Sequence, residues 1–345
     1  MIFLKSLIKM IFVIFLEHTF VSLTLKLNNM KKLVSSAFAL LASATLFAQA
    51  NSDVTTQVGN LNLANVNQVG LMNGNVLDQY GDENTATVSQ NGWFNENYTL
   101  QWGNKNEATI TQVGLGNTNE SYSIGNRNKV DVDQFGWSNS SYIMQSGNRN
   151  SAEVDQVGFF NSSEQHQNGN RNSASTDQTG LLNYSYQLQD GNDNTAKAIQ
   201  DGAFNSIEQW QIGNDNFARA KQTGDDNVSQ QEQIGDANTA RVRQIGDSNY
   251  AGQGQYGDGN FARARQVGDS NQSLQLQYGF DNEARVRQVG DGNLAIQVQD
   301  GTNNWAKDVQ LGDGNFSYVT QTGDFHYHLG TQIGNGNAMY VTQSN

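Results

Sequence analysis

The stretch QVGDGNLAIQVQDGTNNWAKDVQLGDGN, Gln288 to Asn315, repeats its own punctuation. Gln288, Gln299 and Gln310 stand 11 residues apart; Gly290, Gly301 and Gly312 follow them by two, and Asn293, Asn304 and Asn315 by five. Steps of 11 from Gln57 to Gln343 visit 27 positions, of which 26 are Gln and one is Ser123. The second column is Gly throughout, from Gly59 to Gly334, and the third, from Asn62 to Asn337, departs from Asn only at His326. No insertion shifts the phase. A disordered chain has no reason to hold register, so each unit must stack on another.

Each unit divides into strand and turn. The Gly and Asn of the Gln-x-Gly-x-x-Asn group are the residue types that tolerate positive φ. The seven residues from Asn to the next Gln then alternate in direction. In NTATVSQ, Asn84, Ala86, Val88 and Gln90 point one way and Thr85, Thr87 and Ser89 the other. This gives 27 strands, the first beginning at Asn51.

The longer period is 22. Ala64, Ala86 and Ala108, and every 22nd residue from Ala152 to Ala306, mark alternate units, and Gln165, Gln187, Gln209 and Gln231 repeat at the same distance in the others. Two strand types alternate, and like stacks on like. A buried amide is costly unless it is bonded. Identical amides stacked at the strand spacing of about 4.8 Å satisfy one another in a ladder. The expected fold is therefore all-β: a parallel β-solenoid of about 13 rungs, each a strand-turn-strand-turn of 22 residues, with a cross-β hydrogen-bond pattern. An antiparallel meander would place unlike strands side by side and leave the 22-residue alternation without a cause.

Composition agrees. Apolar residues make up 36%, Pro and Cys are absent, and the formal net charge is −13. Without Pro, every residue can donate to a ladder. Without Cys there is neither a disulfide nor a thiolate metal site, and the acidic balance argues against nucleic acid. Residues 30–50, MKKLVSSAFALLASATLFAQA, have the three-part form of a secretory signal with cleavage near Ala50. Residues 1–29 read as a leader extension from a mis-assigned upstream start. Cleavage at Ala50 removes five Lys and one Glu, so −13 becomes −17.

The two outer faces differ. On the Ala-type strands charge dominates, as in Arg219/Lys221, Arg241/Arg243, Arg263/Arg265 and Arg285/Arg287. Asp225, Asp247, Asp269 and Asp291 follow round the turn and are expected to pair with that column. The other face carries an apolar stripe, including Tyr98/Leu100, Tyr142/Met144 and Leu274/Leu276. At the ends, NSDVTTQ and NAMYVTQ are strands with little charge and no capping helix. Val54 and Thr56 at one end, and Tyr340 and Thr342 at the other, are the expected elongation edges.

These residues resemble the curlin repeat of bacterial curli fibres: Ser, five residues, Gln-x-Gly-x-x-Asn-x-Ala, three residues, Gln. Here it reads SQNGWFN from Ser89 and QIGDANTARVRQ from Gln233. The resemblance covers Asn51 to Asn345. It implies a secreted, extracellular subunit that polymerises with itself into amyloid fibres of the cell surface, for biofilm matrix and adhesion. It also implies an outer-membrane secretion channel and a nucleator subunit as partners. By analogy Gln57, Gly59, Asn62, Ala64 and Gln68 hold the ladder positions of the first rung, and Gln288, Gly290, Asn293, Gln299 and Asn304 those of a later one. The chain is longer than the familiar subunits, and its repeats begin directly after the signal. Both departures leave a minor or nucleator subunit as an alternative, beside a monomeric β-solenoid adhesin.

No catalytic set stands out, and no cofactor or metal site is expected. In DFHYHLG the pattern breaks: His326 takes an Asn place and His328 an Ala place, with Asp308 one rung earlier, all facing inward. This reads as an irregular, loosened rung, or as a His–Asp pair sensitive to mild acid. Two His and one Asp are few ligands for a metal.

Overall fold

A computed structural model describes residues 51–345. The leader, the signal at 30–50 and its cleavage point lie outside the described residues. The 27 strands, numbered in chain order from β1 (Ser52–Val58) to β27 (Ala338–Ser344), are joined by short turns, and no helix intervenes among the described residues. Odd-numbered strands form one 14-stranded sheet and even-numbered strands a 13-stranded sheet. Every pairing is parallel and joins residue i to i+22: Gln57 to Gln79, Ala152 to Ala174, Arg241 to Arg263. The chain is thus a β-solenoid of about 13 rungs, roughly 62 Å tall at the usual strand spacing.

The alternation of strand residues decides what lies between the sheets. Ala86, Val88 and Gln90 are buried, whereas Thr85, Thr87 and Ser89 on the same strand are half-buried on the outer side. The core has two regimes. In the early rungs Leu77, Val88, Ile110, Val132 and Ile143 fill it with aliphatic bulk. From Gln165 to Gln297 the odd sheet inserts a second Gln column, and the facing even-sheet column becomes mixed: Thr176, Ala198, Ala220, Val242, Ala264 and Val286.

The turns hold one surprise. Gly takes φ near +120° as expected, but the closing Asn does not use the left-handed region. The residue before it does: Arg127 at 59°, Phe94 at 57°, Asp215 at 57°. Stacking makes this tolerable. The N–H of Arg127 donates to Asn104 O at 2.9 Å, one rung below, and the same bond recurs from turn to turn.

The Gly column is needed for space as well as for φ. A Cβ on Gly158, where φ is +123°, would stand 2.0 Å from the Gly180 carbonyl oxygen. At Gly292, φ is +64° and nothing lies within 4 Å. Gly158→Ala is therefore expected to lower stability by about 3 kcal/mol or more, and Gly292→Ala by about 1 kcal/mol. Urea unfolding of the two variants measures the difference; equal losses would remove the stacking argument.

Candidate functional site: the ladders, the open edges and the irregular rung

Two amide ladders run the height of the molecule in opposite senses. Each Gln Nε2 donates upward to the next Gln Oε1: Gln57 to Gln79 at 2.6 Å, Gln68 to Gln90 at 2.7 Å, Gln288 to Gln310 at 2.9 Å, Gln299 to Gln321 at 2.8 Å. The second N–H commonly bonds a carbonyl of the opposite sheet, as Gln178 does to Ser162 O at 2.9 Å. Each Asn Oδ1 instead accepts from the rung above. Asn293 N donates to Asn271 Oδ1 at 3.1 Å, and Asn62 and Asn304 use Nδ2 to bond Gly81 O and Gly323 O, both at 2.7 Å. Ala64 packs against the aliphatic core, while Gly59 and Gly290 supply the turn at φ +123° and +117°. Ser123 continues the Gln ladder on one side, donating to Gln145 Oε1 at 3.1 Å.

Among the described residues, four strands have a hydrogen-bonded neighbour on one side only: β1 and β27 in one sheet, β2 (Leu63–Leu71) and β26 (Tyr327–Ile333) in the other. In a parallel ladder, successive residues turn their main chain to opposite sides. Phe316 N donates to Asn337 O, so Met339, Val341 and Gln343 face β25 (Phe316–Thr322), and Tyr340 and Thr342 present N–H and C=O to the open side. At the other end Ser52 N donates to Asn73 O. Val54 and Thr56 accordingly bond β3 (Gly74–Tyr80), and the outward main chain belongs to Asp53, Thr55 and Gln57. Of the residues read from the sequence as elongation edges, Tyr340 and Thr342 thus turn their main chain to the open side, and Val54 and Thr56 turn theirs to β3, because a parallel strand has polarity. The even-sheet edges, β2 and β26, hold none of those residues, although two strand types imply two edges at each end.

The irregular rung keeps its register. Strand β26 pairs residue for residue with β24 (Trp305–Leu311). His326 takes over two bonds of the Asn it replaces: its N–H donates to Asn304 Oδ1 at 3.0 Å, and its Nε2 lies 3.0 Å from Thr322 O. His328 and Asp308 are both buried, with His328 Nε2 2.9 Å from Asp308 Oδ1. Gln297 Nε2 donates to the other carboxylate oxygen at 3.0 Å. The carboxylate thus accepts from Gln297, the last Gln of the odd-sheet column below it, where Val319 follows in that column, and the rung keeps its hydrogen bonds. No group of three metal-ligating side chains occurs among the described residues.

On the odd face the aromatic stripe is a zigzag contact series. Tyr98, Tyr122, Tyr142, His166, Tyr186 and Trp210 follow one another across six strands at ring separations of 5.4, 6.0, 5.4, 5.7 and 6.2 Å. On the even face the expected Arg–Asp pairing does not form. The turn carboxylates are used by the backbone instead: Asp225 N donates to Asp247 Oδ1 at 2.9 Å, and Asp269 N to Asp291 Oδ1 at 2.8 Å. Arg241 lies over the rings of Phe217 and Phe261. Lower on the same face, carboxylates crowd. Burial first, then Glu153, Asp133, Asp177 and Asp131, push the Asp155 carboxyl up to about 6.

A two-sheet parallel solenoid whose core is laddered amide, with unpaired strand edges at both ends of the described residues, is a structural repeat protein. Its repeats match the Curlin associated repeat at residues 81–114, 125–158, 169–202, 235–268 and 257–290. The chain belongs to the curlin repeat family. A comparison with curated proteins finds no match.

Two predictions follow from this geometry. A carboxyl raised by folding is charged at a cost in the native state above about pH 6, and the cost is relieved as pH falls through that value while the unfolded carboxyl is still ionised. The unfolding midpoint is expected to rise between pH 7 and pH 5, and Asp155→Asn to flatten that rise; identical pH profiles for variant and parent would refute it. Asp308→Ala strands His328 and the Gln297 amide. It is expected to cost about 1–3 kcal/mol and to speed amide exchange in β24 and β26 before the rest of the sheet.

Proposed function

We propose that the chain is a secreted structural subunit of curli-type extracellular amyloid fibres, polymerising by strand addition at its open ends and serving biofilm matrix and cell adhesion. The observation that carries this reading is the complementarity of the two ends. The last strands present outward main chain at Ala338, Tyr340 and Thr342, and the first at Asp53, Thr55 and Gln57. In the parallel ladder of the interior, those two sets of positions bond each other. The Gln ladder has the same sense: Gln343 accepts from Gln321 at 2.7 Å and has its amide toward the open end, whereas Gln57 donates inward. A second copy added head to tail extends every ladder, and like ends placed together do not. Such an interface does not close on itself, so it propagates a filament. Family likeness supports export through an outer-membrane channel and nucleation by a second subunit.

The chain from Asn51 onward is expected to give seedable fibres with a cross-β reflection near 4.8 Å. Replacing Tyr340 and Thr342 together by Pro removes two outward N–H donors and none that serve β25. At about 1 kcal/mol each, this weakens end binding roughly tenfold or more with the circular dichroism of the solenoid kept. A stable monomer at high concentration would favour the adhesin reading, and unchanged growth kinetics in the Pro variant would reject these edges.

A further inference from the structure

The outer face of the even sheet carries its charge in blocks. Two of its outward side-chain columns carry most of that charge, the third and fifth residues after each Asn. In β8 (Lys129–Trp137), β10 (Ser151–Phe159) and β12 (Ser173–Leu181) they read Asp131/Asp133, Glu153/Asp155 and Ser175/Asp177. In β14 (Thr195–Ala203), β16 (Phe217–Thr223) and β18 (Thr239–Ile245) they read Lys197/Ile199, Arg219/Lys221 and Arg241/Arg243. Arg263/Arg265, Arg285/Arg287 and Lys307/Val309 continue the basic run in the next three strands. Five carboxylates in three strands give way to ten cations in six, in a protein of net charge −13. All fifteen side chains are exposed or half-buried. Like charges stacked at rung spacing repel one another. Within the molecule little offsets this: Arg285 meets Glu283 and Lys129 meets Asp131, and among the described residues none of the others in these blocks has an ion-pair partner.

The blocks mirror each other about the boundary between β12 and β14. Counting outward, one carboxylate answers one cation, then two answer two, then two answer two. We propose that this face is an interface between two copies of the chain, packed sheet to sheet about a two-fold axis parallel to the strands at that boundary. Such an axis reverses the order of rungs and keeps each column over itself. Asp131 and Asp133 of one copy meet Arg241 and Arg243 of the other; Glu153 and Asp155 meet Arg219 and Lys221; Asp177 lies beside Lys197. Each contact occurs twice, as an isologous interface requires. The surplus Arg263/Arg265 and Arg285/Arg287 fall opposite Thr109/Thr111 and Thr87/Ser89, which are hydrogen-bonding and uncharged. A pairing that kept the rungs parallel would set carboxylate on carboxylate. An anionic polymer would use the basic block and be repelled by the acidic one. Only a second copy satisfies both, and the interface does not depend on growth at the ends.

The test uses two charge-swapped variants of the purified protein. The first carries Asp131→Arg, Asp133→Arg, Glu153→Arg and Asp155→Arg; the second carries Arg219→Glu, Lys221→Glu, Arg241→Glu and Arg243→Glu. Particle width by cryo-electron microscopy reports face pairing, and particle length reports end-on growth, so either can fail alone. The parent is expected to be two solenoids wide, and to become single as salt approaches 1 M, where screening acts within about 3 Å. Each variant alone should be single, and an equimolar mixture double again, which also shows that both variants are folded. A carbodiimide cross-link between Asp155 and Lys221 should join isotopically light to heavy chains, because within one copy the two stand three rungs, about 14 Å, apart. A single-width parent at low salt overturns the proposal, whether or not it is retained on a polygalacturonate column. So does a mixture that stays single while each variant keeps its β-sheet spectrum.

Discussion

The structure depends on a property of the primary amide: it donates and accepts along the same axis. When identical amides lie one rung apart, each satisfies its neighbour, and the cost of burying them is offset only in that register. Gln178 takes its place between Gln156 and Gln200 at 2.8 Å on either side, and it also bonds the opposite sheet. A slip of one rung would break nothing within an endless ladder of identical amides. A slip of one residue would expose every Gln and bury the charged columns. The ladder therefore fixes the strand register strictly and leaves the choice of rung to other residues.

Those other residues make the rungs distinguishable. The exchange of an aliphatic core for a Gln column opposed by Ala and Val gives the lower and upper rungs different fillings. Gln165 is where the exchange begins, bonding both Thr176 and Gln187, at 3.2 and 3.0 Å. The buried Asp308–His328 pair marks the far end in another way, placing a carboxylate where the rungs below carry an apolar side chain. Each device keeps the rung geometry and changes what fills it.

The rule that stacks like on like inside the molecule does so outside as well, and there it is unfavourable for charge. The turn carboxylates escape by serving as acceptors for backbone N–H groups of the turn below. The strand charges have no such outlet. Their cost is visible at Asp155, whose carboxyl is raised by burial and by the acids around it. A surface that keeps such columns makes sense if something of opposite charge covers it, and the arrangement in two mirrored blocks is what a second copy supplies.

The repeat made most of the fold legible before any coordinates. Period 11 with two alternating strand types leaves little room for anything but paired parallel sheets, and the Gln, Gly and Asn columns name the ladder residues one by one. What the repeat could not show is direction. It does not say which side of a parallel strand each N–H faces: Tyr340 and Thr342 turn their main chain outward, whereas Val54 and Thr56 bond β3 and the outward groups of the first strand belong to Asp53, Thr55 and Gln57. Nor does spacing reveal that a turn Asp bonds the main chain of the neighbouring rung in preference to the Arg four residues before it. Sequence alone determined which residues stack, because stacking follows from period. Only the tertiary structure decided which atoms meet, because hydrogen-bond polarity belongs to the assembled ladder and not to any single repeat.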